Sequence, residues 1–211
     1  MPTKNNTIIV MDLEATCLEN NSELNVMQEI IQIGLCKIKV DRIRDFLNKS
    51  NISKISSHSN LYDIDKFKDF VLENFIVEKS SYYVKPKYNP VSEFCTNLTG
   101  ITQEIVDSAN PLYEVINTVN KKYSFSNSIV ATWGQFDLYH LKKESEVIGA
   151  NFNYNHSIDV KKLYGVSKLL KHDIGLSKAL DKEGIDFIGK HHNAMYDAIN
   201  TALLLIKILY Y

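Results

Sequence analysis

Residues 8–17 read IIVMDLEATC. Ile8 to Met11 form an unbroken run of large apolar side chains, the pattern of a strand buried on both faces. Such a strand belongs to a sheet covered by helices, and it ought to stay apolar or stop at a turn. This one runs into Asp12 and, two residues later, Glu14. Side chains alternate along a strand, so the two carboxylates share one side while Leu13 points to the other. Paired carboxylates at the end of a core strand repel each other and resist desolvation. Something else in the chain must make that arrangement worthwhile.

The rest of the sequence supplies the sheet that such a strand needs. Alternation and apolar runs predict strands over residues 7–14, 29–40, 76–85 and 128–133, with residues 158–163 readable as a short strand or a helix start. Pro86 closes the third strand, as at an edge. Helical spacing predicts helices over residues 91–98, 102–108, 111–122, 135–148, 175–184 and 193–209. Antiparallel strands followed by strand–helix alternation give a mixed β-sheet with helices on both faces. At 211 residues the length suits one α/β domain, residues 1–211.

Between strands two and three, residues 41–75 are far longer than a hairpin turn and read as an insertion. Its second half has helical spacing at Ile64, Phe67, Phe70, Val71 and Phe75. That apolar stripe calls for a covering surface, and packing onto the domain is the expectation, ahead of self-association. The first half carries Arg42 and Arg44, the only arginines in the chain, so substrate guidance is the third reading.

Composition narrows the function little. A net charge of −1, with 45% hydrophobic and 23% charged residues, describes an ordinary globular chain with no global basic field. Cys17, Cys36 and Cys95 are odd in number and scattered, which points to a reduced, cytoplasmic protein. No segment has signal-peptide character, and residues 202–211 are too short an apolar stretch to span a bilayer.

The first carboxylate pair is answered late in the chain. TWGQFDL places Asp137 in the first turn of a helix, just past the fourth strand. GKHHNAMYDAIN places Asp197 early in the last helix, five residues after His192. Four carboxylates at strand ends and helix beginnings form a cage for a hard cation such as Mg²⁺ or Mn²⁺, since zinc would recruit Cys or more His. Two such cations about 3.5–4 Å apart would cancel the repulsion and clamp an in-line phosphoryl displacement. A histidine would then be free to take a proton from the attacking water.

The segments MDLEATC, SEFCTNLTGITQ, ATWGQFDL and HHNAMYDA resemble, in order and spacing, those of the DEDDh 3′–5′ exonucleases. The pattern is similar to the Eri-type branch, with its histone-mRNA 3′ exonucleases and KapD-like bacterial proteins. The resemblance covers nearly all of the chain outside residues 41–75. It implies a ribonuclease-H-like fold and stepwise release of nucleoside 5′-monophosphates from the 3′ end of single-stranded RNA, with DNA as the alternative substrate. It implies that Asp12, Glu14, Asp137 and Asp197 hold two Mg²⁺ or Mn²⁺ ions and that His192 is the general base. His192 fits the family's H-x-A-x-x-D pattern; the sister subclass carries a tyrosine where this chain has Asn193. The resemblance also puts Ala15, Phe94, Leu98 and Phe136 against the 3′-terminal nucleoside, where stacking tolerates any base. A rival from another class is a regulatory protein using the fold as a binding module, as the name of the KapD-like sporulation inhibitors suggests. A pure binding module has no need of the full acid set and its histidine, so catalysis is preferred.

The remaining polar residues have plainer readings. His58, His140, His156, His172 and His191 lack a pattern and read as surface or structural. Asp159 reads as a turn or cap, Trp133 as core, and Lys121, Lys122, Lys142, Lys143, Lys168 and Lys171 as solvated surface.

Overall fold

The computed structural model describes residues 7–20, 27–43 and 64–210. Strand β1 (Thr7–Ala15) pairs antiparallel with β2 (Ile30–Lys39), and β2 pairs antiparallel with β3 (Ile76–Lys85). Between β2 and β3 lies helix α1 (Ile64–Asn74). Helices α2 (Glu93–Thr99) and α3 (Gln103–Asp107) then lead to a two-residue strand, β4 (Asn110–Pro111), parallel to β3. Helix α4 (Leu112–Tyr123) precedes β5 (Ile129–Thr132), which runs parallel to β1. Helix α5 (Phe136–Val147) leads to β6 (His156–Asp159), which runs parallel to β5 and passes straight into α6 (Val160–Ser167). Helices α7 (Leu176–Lys182) and α8 (Ala194–Tyr210) follow. The sheet order is β4-β3-β2-β1-β5-β6, the mixed sheet expected.

Each sheet face has its own core. Ile8, Val10, Cys36 and Ile38 face α8, whose Ala198, Ala202 and Leu203–Ile206 are buried against them along with α6, α7 and α1. The opposite face carries Ile9, Met11, Ile33, Leu35 and Val130, covered by Leu112, Ile116 and Val119 of α4 and Leu138 and Leu141 of α5. The alternation along β1 is thus read out on both sides, as a doubly covered strand requires.

The helix of the insertion folds back onto the domain. Phe67, Val71 and Phe75 are fully buried in the α8-side core, the Lys207 ammonium lies 4.8 Å over the Phe67 ring, and Arg42 donates to the carbonyl of Asn74 at 3.2 Å. This is the packing the stripe called for. Residues 44–63, which include Arg44, lie outside the described residues. None of the helices described is long and apolar enough to cross a membrane.

Candidate active site

The carboxylates meet at the end of β1. Asp12, Glu14 and Asp197 present oxygens within 4.8 Å of one another. Strand alternation puts the first two on the α8 face, and the first turn of α8 brings the third. That turn is locked by a reciprocal pair: Asp197 N–H donates to the Asn193 carbonyl at 2.9 Å, and Asn193 N–H donates to Asp197 Oδ2 at 3.1 Å.

Asp137 stands slightly apart. It is buried in the first turn of α5 and its Oδ1 accepts from Leu13 N–H at 3.2 Å. Leu13 lies between the two acids of β1, so this bond ties the fourth carboxylate to the same strand end.

Electrostatics show how unfavourable the grouping is without a counter-charge. Burial, then Asp137, Asp197 and Glu14, hold the Asp12 carboxyl well above its ordinary range. Burial, with Asp197 and Asp137, pushes Glu14 up to about 8. Asp137 is pushed up to about 7 by burial, against the backbone bond from Leu13 and the nearby Lys161 ammonium. Asp197 is raised to about 6, again by burial, against the Asn193 backbone and the His191 charge. Four desolvated carboxylates displaced in the same direction fit a hard divalent cation: the donors are all oxygen, and the energy that raises each pKa is recovered when positive charge arrives.

His192 sits on the exposed loop entering α8 with a left-handed φ of 56°. Burial, His191 and Lys190 lower its pKa, so the imidazole is neutral at neutral pH. His191 is instead occupied in packing, stacked on Phe187 at 3.7 Å between ring centroids.

The residues expected at the nucleoside lie at the end of β1, on α2 and at the start of α5. Helix α2 is capped by Ser92 and docks on the end of β1, with Ser92 Oγ donating to the Cys17 carbonyl at 2.6 Å and the Cys95 thiol to the Ala15 carbonyl at 3.6 Å. On α2, Phe94 is 41% exposed and Leu98 is half-buried. Helix α2 ends at Gly100, with φ 81°, and a Cβ there would come within 2.8 Å of Lys190 Nζ. Helix α2 and the loop that carries His192 therefore meet at that point. Phe136 is 56% exposed and stacks on His140 at 5.1 Å. Asp159 caps α6 by accepting from Lys162 N–H at 3.0 Å, and Trp133 packs at the core margin against Tyr164.

Sequence reasoning missed Gly34 and Lys161. Asp12 pairs with Gly34 across β1 and β2, and any Cβ on Gly34 would overlap the backbone of Ala194 and Met195. The missing side chain is what lets α8 sit on the sheet beside Asp12. A lone glycine in an apolar strand signals a close backbone approach, but not what approaches.

The exonuclease family model matches residues 71–205. ERI1 exoribonuclease 2 of Danio rerio is 36% identical over 149 residues, covering 58% of this chain and 26% of that protein. The probable 3′–5′ exonuclease KapD of Bacillus subtilis (strain 168) is 30% identical over 151 residues, covering 65% of this chain and 68% of that protein. The chain thus spans a minor part of the first relative and the larger part of the second. Among solved structures, the nuclease domain of 3′hExo, a DEDDh family member bound to rAMP, superposes with a TM-score of 0.72 at 22% identity, over 99% of this chain and 94% of that one.

Proposed function

The chain belongs to the DEDDh branch of the exonuclease family, with its Eri-type and KapD-like members, and from that premise we propose that it hydrolyses the 3′ ends of single-stranded RNA to nucleoside 5′-monophosphates. The observation that carries the reading is the convergence of Asp12, Glu14 and Asp197 within 4.8 Å, with Asp137 tied in through Leu13. RNA is preferred over DNA because the relatives of this chain include proteins named as exoribonucleases. The binding-module alternative is not favoured, because a binding surface gains nothing from four clustered, partly desolvated acids.

In this reading Asp12, Glu14, Asp137 and Asp197 hold Mg²⁺ or Mn²⁺, two ions per site. Bound there, the cations supply Lewis acidity and neutralise charge on the scissile phosphate. The protein's own groups do the rest. His192, neutral at working pH, accepts the proton of the attacking water at an imidazole nitrogen. The water oxygen bonds to phosphorus as the bond to the 3′ oxygen of the preceding nucleotide breaks, and that oxygen takes a proton from solvent to leave as a 3′-hydroxyl. Phe94, Leu98, Phe136 and Ala15 hold the terminal nucleoside by apolar contact, which accepts any base.

Incubation of the purified protein with 5′-labelled single-stranded RNA and DNA, in Mg²⁺, Mn²⁺ or EDTA, tests this. The expected result is a ladder shortened from the 3′ end, faster on RNA, with 5′-monophosphates released and no cleavage in EDTA. Cleavage that persists in EDTA, or that starts internally, would overturn it.

A further inference from the structure

We infer that Gln32 is a positioning residue of the active site, the acceptor that seats the first turn of α8 against the carboxylates of β1. This rests on the proposed function above. Gln32 is 1% exposed, an unusual place for an amide unless all of its polar atoms are used. Its Oε1 accepts from Ala194 N–H at 3.0 Å, and its Nε2 donates to Ser81 Oγ at 2.8 Å. One side chain thus spans from β3, through β2, to the start of the last helix.

Its place in the sheet gives that span a consequence. Glu14 pairs with Gln32 as Asp12 pairs with Gly34, so the two residues of β2 opposite the two acids both deal with the same helix end. Gly34 makes room for the Ala194–Met195 backbone, and Gln32 accepts one of the N–H groups that a helix start leaves without an intrahelical partner. Gly34 sets how closely α8 approaches, and Gln32 sets the height and rotation of its first turn. Asp197 is three residues beyond Ala194 and His192 is two before it, so both move with that turn. Ser81 in turn fixes the amide: with Nε2 held by a hydroxyl on β3, the oxygen is the atom left facing Ala194.

A residue acting only on stability would not produce the following pattern. In Gln32→Leu, the Ala194 N–H loses its acceptor while the apolar volume is kept. Hydrogen exchange of the metal-free protein should show the Ala194 amide exchanging at least about 10-fold faster, with amides in the middle of α8 unchanged. At saturating Mn²⁺, kcat on a short oligonucleotide should fall about 10- to 100-fold, the scale of an ångström-level misplacement of a reacting group, while KM stays within about 3-fold. Gln32→Glu keeps an oxygen in the same place and should restore both the protection and most of kcat. Should Gln32→Leu fail to fold, Gln32→Asn, one methylene too short to reach, takes its place in the comparison. Unchanged Ala194 protection and unchanged kcat would overturn the inference. So would a uniform rise in exchange across β2 and β3 with kcat intact, which would leave Gln32 as a packing residue. If the wild-type protein degraded no oligonucleotide, the functional reading would fail, and the exchange of the Ala194 amide would still decide the positioning claim.

Discussion

Glu144 illustrates how far a single buried acid can tune this molecule away from its acid cluster. It is 8% exposed, accepts Ile30 N–H at Oε2 (3.0 Å) and lies 3.7 Å from His140 Nε2. Burial, with Glu29 adding to it, pushes its carboxyl from an ordinary value near 4.5 up to about 7. The folded protein therefore holds this proton more tightly than the unfolded chain. The associated stability is complete below pH 4.5 and is lost as pH rises through about 7, a loss of about 3 kcal/mol at most. Glu144→Gln retains an oxygen for Ile30 and has no proton to lose. Denaturant unfolding at pH 5 and pH 8 should show the variant gaining on the wild type as pH rises; a constant difference would contradict the account. At this scale the sequence was most informative where pattern and chemistry coincide. The resemblance to the exonucleases, through their H-x-A-x-x-D pattern, is what points to His192, and the structure adds that the neighbouring His191 is stacked on Phe187. His140 was legible only as surface or structural, because its burial depends on α5 packing that no local spacing reports.

Among the elements, the seat of α8 on β2 is the most exacting contact. Gly34→Ala places a Cβ into the Ala194–Met195 backbone, and backbone has no rotamer with which to yield. The variant should lose about 1–3 kcal/mol of stability or more, and turnover by the folded fraction should fall at least about 10-fold because Asp197 moves with the helix. Thermal unfolding alongside single-turnover rates checks both; a folded variant with wild-type turnover would show that α8 can shift without disturbing the site. Elements with strong periodicity were legible in advance, including α1 with Phe67 and Val71 on its buried stripe. Strand β4 was not, since its two residues have no period to detect. Residues 158–163 read as strand or helix because β6 ends at Asp159 and α6 begins at Val160. The pairings Asp12–Gly34 and Glu14–Gln32 were invisible for a different reason: register is a property of two strands, and neither sequence contains it.

The whole molecule converges its chain on one strand end. Strand β1 contributes two acids, α5 a third and α8 a fourth, while α2 and the histidine loop close together at Gly100 and Lys190. The two acids of β1 lie more than 120 residues before the other two in sequence, and a sheet with β1 near its centre is what unites them. The insertion's helix adds to the core on the α8 side, so it braces the helix that carries Asp197. The central claim is that the acid cluster is a cation site whose repulsion is tolerated for the sake of the ion. Thermal unfolding of metal-free wild type and Asp12→Asn at pH 8, each with and without Mn²⁺, tests it most directly. Without metal, the variant should be the more stable, because a carboxylate disfavoured by desolvation and then by its acidic neighbours is gone. With Mn²⁺ the order should reverse, since only the wild type gains the stabilisation that comes from binding the folded state alone. A wild type indifferent to Mn²⁺, or an Asp12→Asn variant that gains as much from it as the wild type, would contradict the account.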